Sequence, residues 1–181
     1  MRDNPINIAV FGSDDTGRQR ALAPFFEMAL QGLERRGLIL GAFADGAMLG
    51  VCGIAPPGQC QPITTEKLRM VPVLLKARSI ATVVRTAHWV GEWARRDPPT
   101  VHWHLGPVAV AANAQRSGIG GALVSEFCTR VDAAGAVAYL ETDKRENMRF
   151  YERHGFSVTS ESVVLEVTNW FMTRPASVEK R

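Results

Sequence analysis

Between two apolar runs rich in strand formers, residues 101–110 and 137–142, this chain places Gln115-Arg116-Ser117-Gly118-Ile119-Gly120-Gly121 and then a helical pattern. Three glycines at the start of a helix weaken it, because each loses more conformational freedom on folding than any other residue. They are tolerated where the backbone must approach something that a side chain would obstruct. The helix that follows, residues 118–133, sets Ile119, Leu123, Phe127 and Val131 on one stripe, the pattern of a helix packed on a sheet. A strand, a crossover helix and a second strand make parallel neighbours joined by a right-handed connection. The chain is therefore committed to the α/β class, and its other strands make the sheet a mixed one.

Backbone amides at a helix start have no internal partners and carry the positive end of the helix dipole, so a phosphate placed there meets several donors at once. Glycine lets the anion come close. Two phosphate loops of fixed spacing are excluded by inspection. A P-loop ends in Gly-Lys-Ser/Thr, and no lysine stands in residues 115–121. The dinucleotide fingerprint needs a third glycine where this chain has Leu123.

The other elements hang between strong punctuation at Pro56-Pro57-Gly58 and Pro98-Pro99. Residues 6–11 form a short apolar run that fits a strand. Asp14, Asp15 and Thr16 supply N-cap chemistry for a helix running to about Arg36 and ending at Gly37, with Phe25, Phe26, Leu30 and Leu33 as its apolar face. Residues 38–44 and 48–54 flank Asp45-Gly46, a dipeptide favoured in tight hairpins. From 64 to 96 the spacing turns helical, through Leu68, Val71 and Leu75 and then Val83, Ala87 and Val90, with a kink expected at Pro72. Lys67, Arg69, Lys76, Arg78 and Arg85 on this segment read as a solvated face rather than an anion site. A short helix over 145–154, a strand near 156–159 and a closing strand from 163 to about 172 follow.

At 181 residues, 46% of them hydrophobic and 22% charged, the chain can bury a real core, and residues 1–181 are read as one domain. A net charge of +3 comes without the clustered Lys/Arg blocks of nucleic-acid or membrane-binding arms, so neither is an expected partner. Cys52, Cys60 and Cys128 show no Cys-x-x-Cys or Cys/His ligand spacing, so neither a disulfide framework nor a metal centre is expected, and the compartment reads as reducing and cytoplasmic. The apolar runs are too short for a signal peptide or a bilayer span.

The Gln-x-x-Gly-x-Gly pattern of Gln115, Gly118 and Gly120 resembles the loop by which the GNAT superfamily of acetyltransferases holds the pyrophosphate of acetyl-CoA. Around it, residues 105–110, the helix, Val137-Ala138-Tyr139-Leu140-Glu141 and then residues 147–156, which include Asn147 and Tyr151, stand in that family's order and spacing. The resemblance covers about residues 100–160. It implies a GNAT-type mixed, mostly antiparallel central sheet with splayed parallel fourth and fifth strands, flanked by helices. The hairpin at Asp45-Gly46 is similar to the family's second and third strands, and residues 170–175 to its terminal strand. Residues 64–96 are then a helical insert between the third and fourth strands that forms part of the acceptor site, together with the helix over 14–36. Family members usually begin with a strand and a helix, so residues 6–11 are either that first strand or the chain lacks it.

The resemblance also implies a site. Pro107 removes a ladder donor, as is tolerated where strands separate, and the wedge so opened takes the pantetheine arm against the backbone of Val108, Ala109 and Val110. The pyrophosphate meets Gln115, Arg116, Ser117, Gly118, Ile119, Gly120 and Gly121. Within that loop Arg116 adds charge or points outward, and Ser117 is a phosphate donor or merely a cap. Asn147 bonds the cofactor arm, its alternative being a capping or solvent-facing amide. Tyr151, one turn on, is a proton donor to the departing thiolate or else a plain core aromatic. Glu141 and His104 are the ionisable groups nearest the expected acceptor and are the two candidate bases. A strand histidine is equally at home as scaffolding, Glu141 as a residue facing solvent or Lys144, and water chains are a third route for the proton.

The activity so implied is direct transfer of an acetyl group from acetyl-CoA to a primary amine of a small molecule or peptide, by a monomer or homodimer and without a metal. Two other readings stay open: a non-catalytic acyl-CoA-binding sensor on the same fold, and nucleotide binding by an unrelated α/β domain.

Overall fold

A computed structural model describes residues 3–177. In chain order its elements are α1 (Pro5–Phe11), α2 (Asp15–Arg36), β1 (Leu38–Ala44), β2 (Ala47–Ala55), α3 (Thr64–Ala77), α4 (Ile80–Arg95), β3 (His102–Val110), α5 (Ile119–Ala133), β4 (Val137–Thr142), α6 (Arg145–Glu152), β5 (Ser157–Val164) and β6 (Val167–Arg174). Among the described residues the strands form one six-stranded sheet in the order β1-β2-β3-β4-β6-β5. Every neighbouring pair is antiparallel except β3 and β4. This is the mixed sheet with one splayed parallel pair that the sequence implies, and β3 and β4 are the strands expected as fourth and fifth.

The splay has a local cause. Parallel pairing covers only His102, Trp103 and His104 against Val137, Ala138 and Tyr139, and β3 then leaves its neighbour. Its other edge stays bonded to β2 across an irregularity, where Cys52 faces Val108 and Ile54 faces Leu105. Gly53 on β2 thus opposes both Gly106 and Pro107, a bulge of the kind that bends a strand. Proline contributes no donor there, so the ladder loses little by bending.

Helix α5 packs through the expected stripe: Leu123, Phe127 and Val131 are buried against Leu105, Leu140 and Met172 of the sheet, with Ile119 at the margin. A second core joins Val10 and Phe11 of α1, Leu22 and Phe25 of α2, and Trp89 of α4. The α2 boundaries follow its caps. Asp14 accepts from the Gly17 amide at 3.0 Å, and the Gly37 amide closes on the Leu33 carbonyl.

Three expectations are corrected. Residues 6–11 are not a strand but lie within α1, so among the described residues the sheet begins at β1 and the family's usual first strand has no counterpart. Pro5 sits in the first turn, where a missing N–H costs nothing, and the Asp143 carboxylate, far along the chain, accepts from the Ile6 amide at 2.8 Å and from Asn4 Nδ2 at 3.0 Å. The closing segment is also different: β5 runs on to Val164 and turns into β6 through Leu165 and Glu166, both at positive φ. That two-residue turn lacks the Asn, Asp or Gly that normally advertises it. Third, Arg78 and Arg85 are not simply solvated. Their Nε groups donate to the carbonyls of Phe11 and Val10, each at 2.9 Å, and so satisfy the C-terminal end of α1.

Gly53 is the position where the wedge is most tightly specified. A Cβ there would stand 2.6 Å from the Gly106 carbonyl oxygen and 2.5 Å from Leu33 Cδ2. Since the first of these is backbone, Gly53→Ala is expected to cost about 1–3 kcal/mol by overpacking, measured as a lowered denaturation midpoint, whereas Gly46→Ala, with open space around it, tests the strain of positive φ alone.

Candidate active site

Where β3 leaves β4, the sheet opens into a cavity of about 260 Å³. From the sheet it is lined by His104, Leu105, Pro107 and Val108 of β3 and by Glu141 and Thr142 at the end of β4. Helix α6 adds Asn147 and Tyr151, which lie four residues apart and so share one face. Across the opening stand Phe26, Leu33 and Arg36 of α2 and Trp89, Val90 and Trp93 of α4. Of the segment 64–96, then, α4 reaches this cavity while α3 does not.

His104 and Glu141 face each other from adjacent strands, Nε2 to Oε2 at 2.7 Å. The Glu141 side chain is 4% exposed and that of His104 17%. Glu141 therefore does not face solvent, nor does it pair with Lys144, whose Nζ bonds Asp3 instead. Burial disfavours the charged imidazole, but the Glu141 carboxylate and its hydrogen bond outweigh this and hold the His104 pKa above its ordinary value. The ring also rests near Tyr139, centroids 5.5 Å apart. The pair can carry one proton between two strands, which a lone carboxylate or imidazole in the same place would do less readily.

Tyr151 is 8% exposed and edge-on to Phe150 and Phe156. Burial pushes its phenol pKa well up, so it remains an O–H donor at any ordinary pH. Tyr151 packs in the core and also lines the cavity. Asn147 lines the cavity too, and since Lys144 occupies the N-cap of α6, it is not a capping amide.

The glycine loop lies outside the cavity lining and is tied to it through β3 and α6. Gln115 Nε2 reaches the Val110 carbonyl at 3.5 Å, and a Cβ on Gly120 would sit 3.6 Å from Val110 Cγ2 and 3.8 Å from Phe150 Cζ. Gly118 is the N-cap of α5 with φ +88, beside open space, and α5 has no side-chain cap. Its first ladder bond runs from the Ala122 amide to the Gly118 carbonyl, which leaves the amides of Ile119, Gly120 and Gly121 ahead of the ladder. Packing does not demand glycine at 120 or 121, since an added Cβ meets only ordinary contacts. The loop thus holds space open beside unladdered donors, as an anion cradle requires. Arg116 is exposed with φ 64, and the Ser117 hydroxyl donates to the Ala114 carbonyl at 2.6 Å within the loop. Ala109 and Val110 pair with Val51 and Gly50 of β2, so their other edge faces the wedge.

Some residues at the site had no signal in the sequence. Asn4, Ile6 and Asn7 enter the cavity because α1 docks there. Trp89 and Trp93, whose rings meet at 5.1 Å, were legible only as helix spacing. His88, by contrast, is exposed and lies away from the cavity. The fold also gathers Cys60, Asp97 and His102 although their sequence spacing suggests no cluster. Burial, and then the Asp97 carboxylate, push the Cys60 thiol up to about 12.

The His104–Glu141 pair carries a signed prediction. In Glu141→Gln only burial remains to act strongly on the ring, so an NMR titration should place the His104 pKa below the ordinary value of about 6.5, against a value above it in the parent. Because the folded-state value is raised, the stability this pair contributes is fully present below about pH 6.5 and is lost as pH rises through the folded value. The stability difference between parent and variant should shrink over that window.

Residues 76–158 match the family model of the acetyltransferase (GNAT) domain. Among solved structures the chain is similar to a histone acetyltransferase HPA2 and related acetyltransferase from Corynebacterium glutamicum, at 21% identity over 99% of this chain and 86% of that one, with a TM-score of 0.71. It is also similar to the ribosomal-protein-S18-alanine N-acetyltransferase from Escherichia coli, at 15% identity over 86% and 80% of the two chains, with a TM-score of 0.53. At such identities the likeness is one of fold. No helix among the described residues is long and apolar enough to cross a membrane. The chain thus carries a stretch, residues 76–158, that matches the acetyltransferase (GNAT) domain, within a fold shared with solved acetyltransferases.

Proposed function

We propose that the protein moves an acetyl group from acetyl-CoA directly to a primary amine of a small molecule or peptide, within a ternary complex. One observation carries this reading: a single cavity joins a buried phenol, Tyr151, to a partly buried imidazole–carboxylate pair, His104 and Glu141, and opens along the unpaired edge of β3.

Bound acetyl-CoA supplies the activated acyl group. The amides of Gly118, Ile119, Gly120 and Gly121 suit its pyrophosphate, and the free edge at Val108, Ala109 and Val110 suits its amide-bearing arm, with Asn147 alongside. The amine nitrogen forms a bond to the acyl carbon as the carbon–sulfur bond breaks. The proton lost by nitrogen passes to the His104–Glu141 pair, which accepts it only while His104 is neutral. Tyr151 donates its O–H to the departing sulfur. Its raised pKa makes complete transfer uphill, so its chief effect is to stabilise the developing thiolate by a hydrogen bond. Phe26, Trp89 and Trp93 offer an apolar and aromatic wall suited to an amine with an apolar body, since a cation is attracted to the face of an indole.

The proposal is tested by incubating the protein with acetyl-CoA and a panel of polyamines, aminoglycosides, amino acids and peptide N-termini while following free thiol. Acetyl-CoA binding with no acceptor-dependent thiol release across the panel would favour a sensor. With an acceptor in hand, Tyr151→Phe is expected to lower kcat roughly 100-fold with cofactor affinity nearly intact, whereas Gly120→Val weakens cofactor affinity first. Unchanged turnover in the tyrosine variant removes Tyr151 from the mechanism. Against pH, kcat/KM should fall on the acid side with an apparent pKa above that of an ordinary histidine.

A further inference from the structure

We infer that Cys60, Asp97 and His102 form a binding site for a divalent cation of the zinc type, at the margin of the cavity. The three come from separate segments: the loop after β2, the turn just beyond the C-cap of α4, and the first residue of β3. One ligand atom from each lies within 4.8 Å of the others. Cys60 Sγ is 3.0 Å from Asp97 Oδ2, and His102 Nε2 is 3.0 Å from Asp97 Oδ1.

The orientation of His102 points to a ligand. The residue is 6% exposed, and its Nδ1 lies 2.7 Å from the Thr100 carbonyl, an acceptor that can only receive a proton. With the proton on Nδ1, Nε2 presents a lone pair to the cluster. Both Nε2 and Asp97 Oδ1 are buried without a hydrogen bond of good geometry, although they are close. Two lone pairs facing each other at that distance repel unless something positive stands between them. A histidine whose other ring nitrogen donates to a backbone carbonyl is also the usual posture of a metal ligand.

The donor set defines the ion. Thiolate, imidazole and carboxylate together suit zinc rather than magnesium or calcium. Tetrahedral ligands at about 2.0–2.3 Å from zinc lie roughly 3.3–3.8 Å apart, so the two 3.0 Å contacts to Asp97 would open by a few tenths of an ångström, while Cys60 and His102 already stand within 4.8 Å of each other. Gln61 Nε2 already holds Asp97 Oδ2 at 3.1 Å, an outer contact that orients the carboxylate. On binding, the Cys60 thiol proton leaves to solvent and the sulfur bonds the metal, with no change in oxidation state. Three protein ligands leave a fourth position for water. The ion would pin the loop carrying Cys60 and Gln61, both of which line the cavity, to the strand that carries His104. A second proton on His102 is the competing occupant of the same space.

The test uses the whole chain freed of metal by chelation. Zinc is titrated against a chromophoric chelator, and cobalt(II) is added in parallel. The site is supported by one equivalent bound, a thiolate-to-cobalt charge-transfer band, a thermal midpoint that rises with zinc, and at least tenfold weaker binding in Cys60→Ser and in His102→Gln. Cys128→Ala, outside the cluster, should bind as the parent does. Absence of the charge-transfer band, or parental affinity and stoichiometry in Cys60→Ser, overturns the proposal and leaves a protonated histidine between the two acceptors. Cys60 lies in a half-buried loop, so the serine variant decides the matter even if His102→Gln fails to fold.

Discussion

The short parallel ladder between β3 and β4 is the constraint on which the rest of this structure depends. Three residues pair on each strand, and then β3 bends away at the bulge opposite Gly53. A strand edge left inside a protein must find partners for its N–H and C=O groups or face solvent. Here that edge faces a cavity, while β2 holds the opposite edge of the same strand in register. The opening is therefore rigidly framed rather than merely loose, and an amide-bearing ligand would complete the ladder much as a peptide adds to a sheet.

Around that opening, charged groups are placed where burial makes their pairing matter. Glu141 sits at the end of β4 with a 4% exposed side chain, an environment in which an unpaired carboxylate would be costly. His104 satisfies it and is held charged to a higher pH in return. Asp143, just beyond the same strand, is used differently. Burial raises its pKa, and it serves as the cap of α1. Arg78 and Arg85 close the other end of that short helix. Seven residues make a marginal helix alone, and α1 persists because both its ends are satisfied by other elements while Ile6, Val10 and Phe11 enter the second core.

The cavity lining draws on residues both inside and outside the matched span. Residues from α4, β3, β4 and α6 lie within it, whereas Phe26 and Leu33 of α2 and the residues of α1 lie outside it. Trp89 and Trp93 of α4 place an aromatic surface opposite β3 and belong to the matched span as well.

What the sequence determined by itself was whatever short-range chemistry encodes. The glycines at 118, 120 and 121 declared a helix start that needs open space, Asp45-Gly46 declared a hairpin, and Asp14 with Gly37 bracketed α2. Each signal lies within a few residues of its consequence, so periodicity and capping suffice to read it. Tertiary structure alone decided that residues 6–11 are helical, that Leu165 and Glu166 turn without a turn residue, that Glu141 meets His104, and that Cys60 meets Asp97 and His102. In each case a partner distant in sequence or the register of a neighbouring strand outweighs local preference. A six-residue apolar run is compatible with either state until something such as Asp143 caps one of them, and the spacing of two polar residues along a chain carries no record of the sheet order that makes them neighbours.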